Sequence, residues 1–366
     1  MLKRIKLVNF RNLNPVTIEF DPYTNLIYGE NGSGKSSLLE AIYTSNYGKS
    51  FRTNKINNLI THSQEMFVAY LEHSIRGKHI PLGFQKSATM AKLKIEGKYQ
   101  RSFSTFSYKN PMQVIEPGSF SLLERGPEER RKLIDWGVFH VEHSYSSIWT
   151  HFKNSIKQRN ALLKHDKIDS VQFKYWTEQF CAASQALAEL RVRYTQELND
   201  HLYTMLQSTP LASTGLNIRF YKGWDDTDSL ENELTKDAFN ERRYKHTLHG
   251  PHKADLKITH NGRPAVETYS RGQQKLLIAL IKIAQLKLLA DKIETKSILL
   301  FDDIDSELDK NFLTVLLQQA RQYCDQLFLT STSRSVLEEL PLIGSAKMFH
   351  VEHGSVTSIL SLEKNK

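Results

Sequence analysis

The stretch GENGSGKSS, residues 29–37, stands between a short apolar run, NLIY, and a helix-patterned run, SLLEAIY. A strand, a glycine-rich turn and a helix in that order open an α/β unit. Gly29, Gly34, Lys35 and Ser36 meet the spacing G-x-x-x-x-G-K-[ST]. The glycines let the backbone curl so that successive N–H groups converge on one point at a helix start, which favours a phosphate. Lys35 there neutralises the β and γ oxygens of a nucleotide, and the Ser36 hydroxyl is a ligand for Mg2+. Gly29, Glu30, Asn31, Gly32, Ser33, Gly34, Lys35, Ser36 and Ser37 are therefore the expected phosphate-binding loop.

A second apolar strand, ILLFDD, ends in Asp302 and Asp303. A strand that delivers an acid at its carboxyl end places it beside the phosphate loop of the same parallel sheet. Asp302 is then expected to hold Mg2+, directly or through water, and Asp303 to orient the attacking water or accept its proton. A strand-end turn with solvated acids is the plainer reading of the same letters. About 25 residues earlier, SRGQQKLLIALIKIAQLKLL (270–289) begins a largely buried helix with an exposed polar turn. Such a start can cap itself or hold a phosphate on its free N–H groups.

Between these two ends the pattern changes twice. Residues 66–100 alternate with turns at Arg76-Gly77 and Gly97, which predicts an antiparallel meander. From 126 to 201 the apolar residues fall at helical spacing on two stripes, separated by the polar KHDKIDS. This predicts an antiparallel helical hairpin with arms of roughly 35 residues, about 50 Å long. Its aromatic stripe reads as a packing seam rather than a base-stacking platform. After 215 the strands LNIRFY and ADLKITHNGRPAV return, the second turning over Asn261-Gly262, followed by helix, strand, helix and strand to QLFLTST.

The order of phosphate loop, insertion, SRGQQK, acidic strand and SELD (306–309) resembles the ABC-type ATPases. In that family the signature motif reaches the γ-phosphate held by a second subunit. The resemblance thus gives Ser270, Arg271, Gly272 and Gln273 a role in trans, makes Ser306 and Asp309 the D-loop, and implies a homodimer with ATP at the joint. More narrowly, NFRNL (9–13), GENGSGKSSLLEAIY, GKSFRT (48–53), SLLERGPEERRKLIDWGVFH, HGPHKADL (249–256), SRGQQK and FDDIDSELD closely resemble the RecF family of bacterial recombination mediators. They do so in order over nearly the whole chain. The hairpin is much shorter than SMC coiled coils.

The resemblance implies an α/β fold: an ABC-type P-loop ATPase head, with a mixed sheet plus an antiparallel β-layer, carrying an inserted helical hairpin. The expected divisions are 1–125 and 211–366 for the two parts of the head and 126–210 for the hairpin. It implies a slow, DNA-stimulated ATPase using ATP and Mg2+ as a switch. Dimers formed on ATP would bind single-stranded and duplex DNA at gaps or junctions without sequence preference. They would act with RecR and RecO to load RecA in gap repair, replication restart and SOS induction. Arg11 lies where related heads place nucleotide contacts. Gln113 and Thr332 match only loosely the water-sensing Gln and switch His of transporter cassettes.

Charge agrees with a polyanionic partner, since the 366 residues carry a formal net charge of +9. The basic candidates are Arg130, Arg131, Lys132, Lys153, Lys157, Arg159, Arg242, Arg243 and Lys245, each of which is taken singly a solvated surface charge as readily as a phosphate contact. Cys181 and Cys324 lack disulfide or metal spacing and read as core thiols. His249 and His252, flanking Gly250-Pro251, read as part of a rigid loop rather than a metal site. No apolar run of membrane length and no secretory leader is visible, so a cytoplasmic protein is expected. A structural adaptor that binds ATP without turnover uses the same residues. A transporter cassette requires a Leu-Ser-Gly-Gly-Gln signature and a switch His, which this sequence lacks.

Overall fold

In the computed structural model the chain divides into two compact units, Met1–Phe120 with Lys275–Lys366, and Ser121–Gln274. The structure describes residues 1–209, 211–212, 215–293, 297–307, 310–338, 340 and 344–364.

The first unit holds two six-stranded sheets among its described residues. In the mixed sheet, parallel strands run in the order Met112–Ile115, Ser297–Phe301, Cys324–Ser331, Thr24–Tyr28 and Gly344–Glu352, with Ser355–Lys364 antiparallel at the edge. Ser297–Phe301 is buried at every position, which is why it reads as an unbroken apolar run. The other sheet is antiparallel, in the order Val16–Glu19, Leu2–Val8, Met66–Ile75, Lys78–Ser87, Ala91–Ile95 and Lys98–Gln100. Its strands alternate buried and exposed residues, so one face packs inward and the other meets solvent. Ile5, Phe67 and Leu82 from this sheet share a core with Ile27, Leu300 and Phe349 from the mixed sheet and with Leu38 and Ile42 of the helix Lys35–Tyr47. Phe20 seals that core edge-on against Phe328, ring centroids 4.9 Å apart.

The second unit contains the helices Pro127–Val141, Tyr145–Leu163 and Ser170–Leu206 and a three-stranded sheet of Leu216–Tyr221, Asp255–His260 and Arg263–Pro264. The second arm of the expected hairpin is one helix of 37 residues, started by Asp169, whose carboxylate accepts from the amides of Val171 and Gln172. The first arm is not continuous. Glu142 leaves the helical region at φ −113° and ψ 109°, and its carboxylate instead pairs with Arg193 on the long helix at 2.8 Å. Close packing of the arms also needs Gly137, where an added Cβ would lie 1.9 Å from the Tyr194 hydroxyl.

Residues 211–274 group with these helices, although the sequence pattern assigned them to the head. Ion pairs and hydrogen bonds cross between them. Arg130 binds Asp255 with both Nε and Nη2, at 2.7 and 3.1 Å, and Arg191 binds Asp135 while donating to the Pro251 carbonyl. Arg159, on the shorter arm, meets Glu241 at 2.5 Å and Thr247 at 2.7 Å, both charged partners being almost wholly buried. Cys324 is buried, whereas Cys181 is only half-buried, its thiol pushed up to about 11 mainly by that burial.

Candidate nucleotide site

The strand Thr24–Tyr28 runs straight into the loop 29–34 and the helix Lys35–Tyr47, as the motif requires. Two glycines have no substitute here. A Cβ on Gly29 would sit 2.1 Å from the Val351 carbonyl oxygen, and Gly34 has φ +119° with Leu13 packed close to it. Lys35 is buried, and its ammonium donates to the carbonyls of Gly29 (2.7 Å) and Glu30 (3.0 Å). Burial lowers its pKa, opposed by the nearby carboxylates of Asp303, Asp302 and Asp305. A cation folded back onto loop carbonyls marks where phosphate oxygens fit.

Asn12, just after the first strand, braces this loop. Its amide donates to the Gly32 carbonyl at 2.9 Å and its oxygen accepts from the Ser37 hydroxyl at 2.7 Å. The turn of the last hairpin does the same from another side, the Gly354 amide donating to the Ser33 carbonyl at 2.9 Å.

The acidic strand and the loop strand are not adjacent, because Cys324–Ser331 lies between them. Thr330 on this middle strand closes the gap. Its hydroxyl donates to Asp302 Oδ1 at 2.7 Å and accepts from the Asp303 amide at 2.8 Å. The Ser36 hydroxyl donates to the same Asp302 oxygen at 2.9 Å. Burial raises the Asp302 pKa, while the Thr330 and Ser36 hydroxyls and the charge of Arg52 favour the carboxylate. Asp303 follows at φ 58°, a conformation that non-glycine residues hold at a cost and that is often found at functional sites.

Ser36 and Asp302 are hard oxygen donors that share one point, so they fit Mg2+, which completes its shell from phosphates and water. Among the described residues no group of three or more His, Cys, Asp and Glu side chains is placed to hold a metal by itself. His252 binds the Thr247 carbonyl through Nε2 at 2.9 Å, and burial lowers its pKa to about 4; His249 binds Asp237 at 2.5 Å.

Arg11, the nucleotide contact expected from the resemblance, pairs with the loop helix. Its guanidinium donates to Glu40, a fully buried carboxylate on the loop helix that also accepts from Ser50. Ser50 in turn accepts the amides of Arg52 and Thr53. Gln113 is buried against Gln285 at 3.0 Å, and Thr332 donates through its amide and hydroxyl to Asp305 at 3.0 and 2.6 Å.

The start of the helix Arg271–Ile293 is a reciprocal cap: the Gln273 amide donates to the Ser270 hydroxyl at 3.3 Å, and the Ser270 amide donates to Gln273 Oε1 at 2.9 Å. Ser270, Arg271 and Gly272 remain exposed. Ser306 lies in the short helix Ile304–Glu307, and Asp309 falls outside the described residues.

The basic candidates separate into two groups. Arg130 is taken by Asp255, Arg131 donates to the Ala254 carbonyl, Arg159 is buried, and Lys132 pairs with Glu128 and Glu129. Lys153, Lys157, Arg242, Arg243 and Lys245 are exposed on the second unit. Among the described residues no helix is long and apolar enough to cross a membrane.

A family model described as the RecF/RecN/SMC N terminal domain matches residues 1–357. The DNA replication and repair protein RecF of Pseudoalteromonas translucida is 37% identical over 97% of this chain and 99% of its own length. That of Stutzerimonas stutzeri is 36% identical over 98% and 97%. Among solved structures, the recombination mediator RecF with ATP superposes with a TM-score of 0.88 at 26% identity, covering 98% of this chain and 97% of that one. The Smc head of Pyrococcus furiosus shares the fold at a TM-score of 0.57 and 15% identity, covering 99% and 96%. Shared fold, shared motifs and near-complete overlap lead to one conclusion: this chain belongs to the RecF family, with the mixed sheet and antiparallel layer of an ABC-type ATPase head.

Proposed function

We propose that this protein is an ATP-switched, DNA-binding recombination mediator, whose dimer assembles around ATP and dissociates on slow hydrolysis. The observation that carries this reading is the convergence of the Lys35 ammonium, the Ser36 hydroxyl and the Asp302–Thr330–Asp303 network at the head of one parallel sheet. Lys35 leaves its two loop carbonyls to bind phosphate oxygens. Ser36 and Asp302 would hold Mg2+, which neutralises charge developing on the transferred phosphoryl group. Asp303 takes the proton of the attacking water, and Thr330 fixes both acids by bonding one carboxylate and the other's amide.

The exposed, self-capped start at Ser270 supplies the second half of the site. Its N–H groups and hydroxyl can exchange the internal cap for a γ-phosphate held by another copy. A ligand contacting both subunits stabilises the dimer by its differential affinity, and hydrolysis removes that contribution. The relatives' names, a DNA replication and repair protein and a recombination mediator of the RecFOR pathway, and the excess positive charge support DNA as the partner; binding at gaps or junctions and action with RecR, RecO and RecA are what the family resemblance implies. Exposed Lys153, Lys157, Arg242 and Arg243 remain the candidate phosphate contacts of the second unit.

Complementation tests the composite site. Ser270→Arg is expected to bind ATP as a monomer but not to dimerise or hydrolyse, and Lys35→Ala to lose ATP binding. Mixed together, they rebuild one intact site per heterodimer and recover about a quarter of the activity on random pairing. If the mixture stays inactive while Ser270→Arg alone loses monomeric ATP affinity, the site is not shared between subunits.

Thr330→Val keeps the shape and removes the hydroxyl. Loss of a hydrogen bond to a charged group costs about 1.5–3 kcal/mol, so Mg2+-dependent turnover should fall roughly 10- to 100-fold. Thr330→Ser should retain most of it. A Mg2+ titration of turnover in the three proteins reads this directly, and equal rates for wild type and Thr330→Val would remove Thr330 from the mechanism.

A further inference from the structure

The outer face of the antiparallel sheet in the first unit carries a row that the nucleotide site does not use. Register places Thr17, Lys6, Tyr70, Gly83, Lys94 and Tyr99 side by side on six successive strands. Tyr70 is 39% and Tyr99 74% exposed, and Val68 beside Tyr70 is 39% exposed. Lys94 lies over the Tyr99 ring, 5.7 Å from its centroid. Between Tyr70 and Lys94, Gly83 leaves the backbone bare, with nothing within 4 Å of where its Cβ would be.

The charges around this row are asymmetric. Lys6 and Lys92 are exposed and pair with no acid among the described residues, and Lys92 stands opposite Gln85 in the neighbouring row. On the other side Arg4 lies between Glu19 and Glu72, and His79 approaches Glu72, so that edge is balanced and ends the basic strip. Adjacent strands are about 4.8 Å apart, which separates the two Tyr positions by about 14 Å, within the reach of a few nucleotides. Aromatic faces for bases, lysines for phosphates and a bare glycine floor suit an unpaired strand. A duplex hides its base faces and cannot use the rings.

From this juxtaposition we infer that the outer face of the antiparallel sheet is a binding platform for single-stranded nucleic acid, with bases stacking on Tyr70 and Tyr99 and the backbone tracked by Lys6, Lys92 and Lys94. The inference deepens the DNA-binding reading and rests on it. It makes the first unit, and not only the exposed basic residues of the second, a contact for the unpaired part of a gap.

The test is fluorescence anisotropy of a labelled oligo(dT) and of a duplex of equal length with the full chain, with and without ATP, over a salt series. Stacking of one base is worth roughly 5- to 100-fold in affinity. The double variant Tyr70→Ala/Tyr99→Ala should therefore bind oligo(dT) at least about 25-fold more weakly and the duplex within about twofold of wild type. Lys6→Gln/Lys94→Gln should flatten the salt dependence by about 1.4 in the log–log slope, 0.7 for each lost phosphate contact. Gly83→Asp, which has room for its side chain, should block oligo(dT) alone. Unchanged oligo(dT) binding by the Tyr variant overturns the platform, as does an equal loss for both DNAs. Wild type that binds neither DNA overturns the DNA-binding reading itself, and the platform with it.

Discussion

Lys35→Ala raises the dissociation constant for ATP by about 100-fold or more, because the ammonium is seated within the loop on the Gly29 and Glu30 carbonyls and its bonds to phosphate are charge-assisted. The same substitution leaves the fold intact. In the nucleotide-free protein Lys35 is desolvated, and burial already lowers its pKa, so removing it relieves a buried charge while exposing the Gly29 and Glu30 carbonyls to water. Titration with a fluorescent ATP analogue, alongside thermal melting, separates the two effects. Lost binding with an unchanged melting temperature is the expected pattern. Retained binding would mean that phosphate is held elsewhere.

Arg159→Ala costs stability rather than nucleotide affinity. Arg159 is 1% exposed, bonds Glu241 and Thr247, and lies over the rings of Phe173 and Phe180. Its removal leaves Glu241 charged and buried with the Leu248 amide as a remaining donor. Breaking a buried pair from one side costs about 3–5 kcal/mol. The double variant Arg159→Met/Glu241→Leu should recover much of that loss, since an apolar replacement of both partners is often near neutral. Urea denaturation followed by the fluorescence of Trp136, Trp149, Trp176 and Trp224, all within this unit, reports on it. Equal midpoints for wild type and Arg159→Ala would show that the pair does not hold residues 211–274 to the helical arms.

The parts of the site that were legible in the sequence are those written locally. The candidate phosphate loop occupies nine consecutive residues, the candidate acids end one apolar strand, and the candidate signature start spans Ser270 to Gln273. What escaped depends on register between distant segments. Thr330 meets Asp302 only because a strand inserts between the loop strand and the acidic strand, and the letters LFLTST do not show which neighbour that strand has. The Arg11–Glu40 pair joins segments 29 residues apart in the same way, and a lone acid in the buried run SLLEAIY was the available signal for it. The break at Glu142 carries no Gly or Pro at that position to announce it, and the Glu142–Arg193 ion pair across the arms accompanies it. Likewise, Arg130 and Arg159 pair with Asp255 and Glu241 across these segments, although as single letters they were as good candidates for solvent or DNA.

The most direct test is steady-state ATP hydrolysis measured against protein concentration, with and without gapped duplex DNA at fixed salt. Turnover per subunit that rises with concentration and is stimulated by the gapped DNA is expected of a site completed by a second copy and coupled to nucleic acid. Turnover that is flat with concentration and indifferent to DNA, in protein shown to bind ATP, would contradict the shared site and the switch built on it.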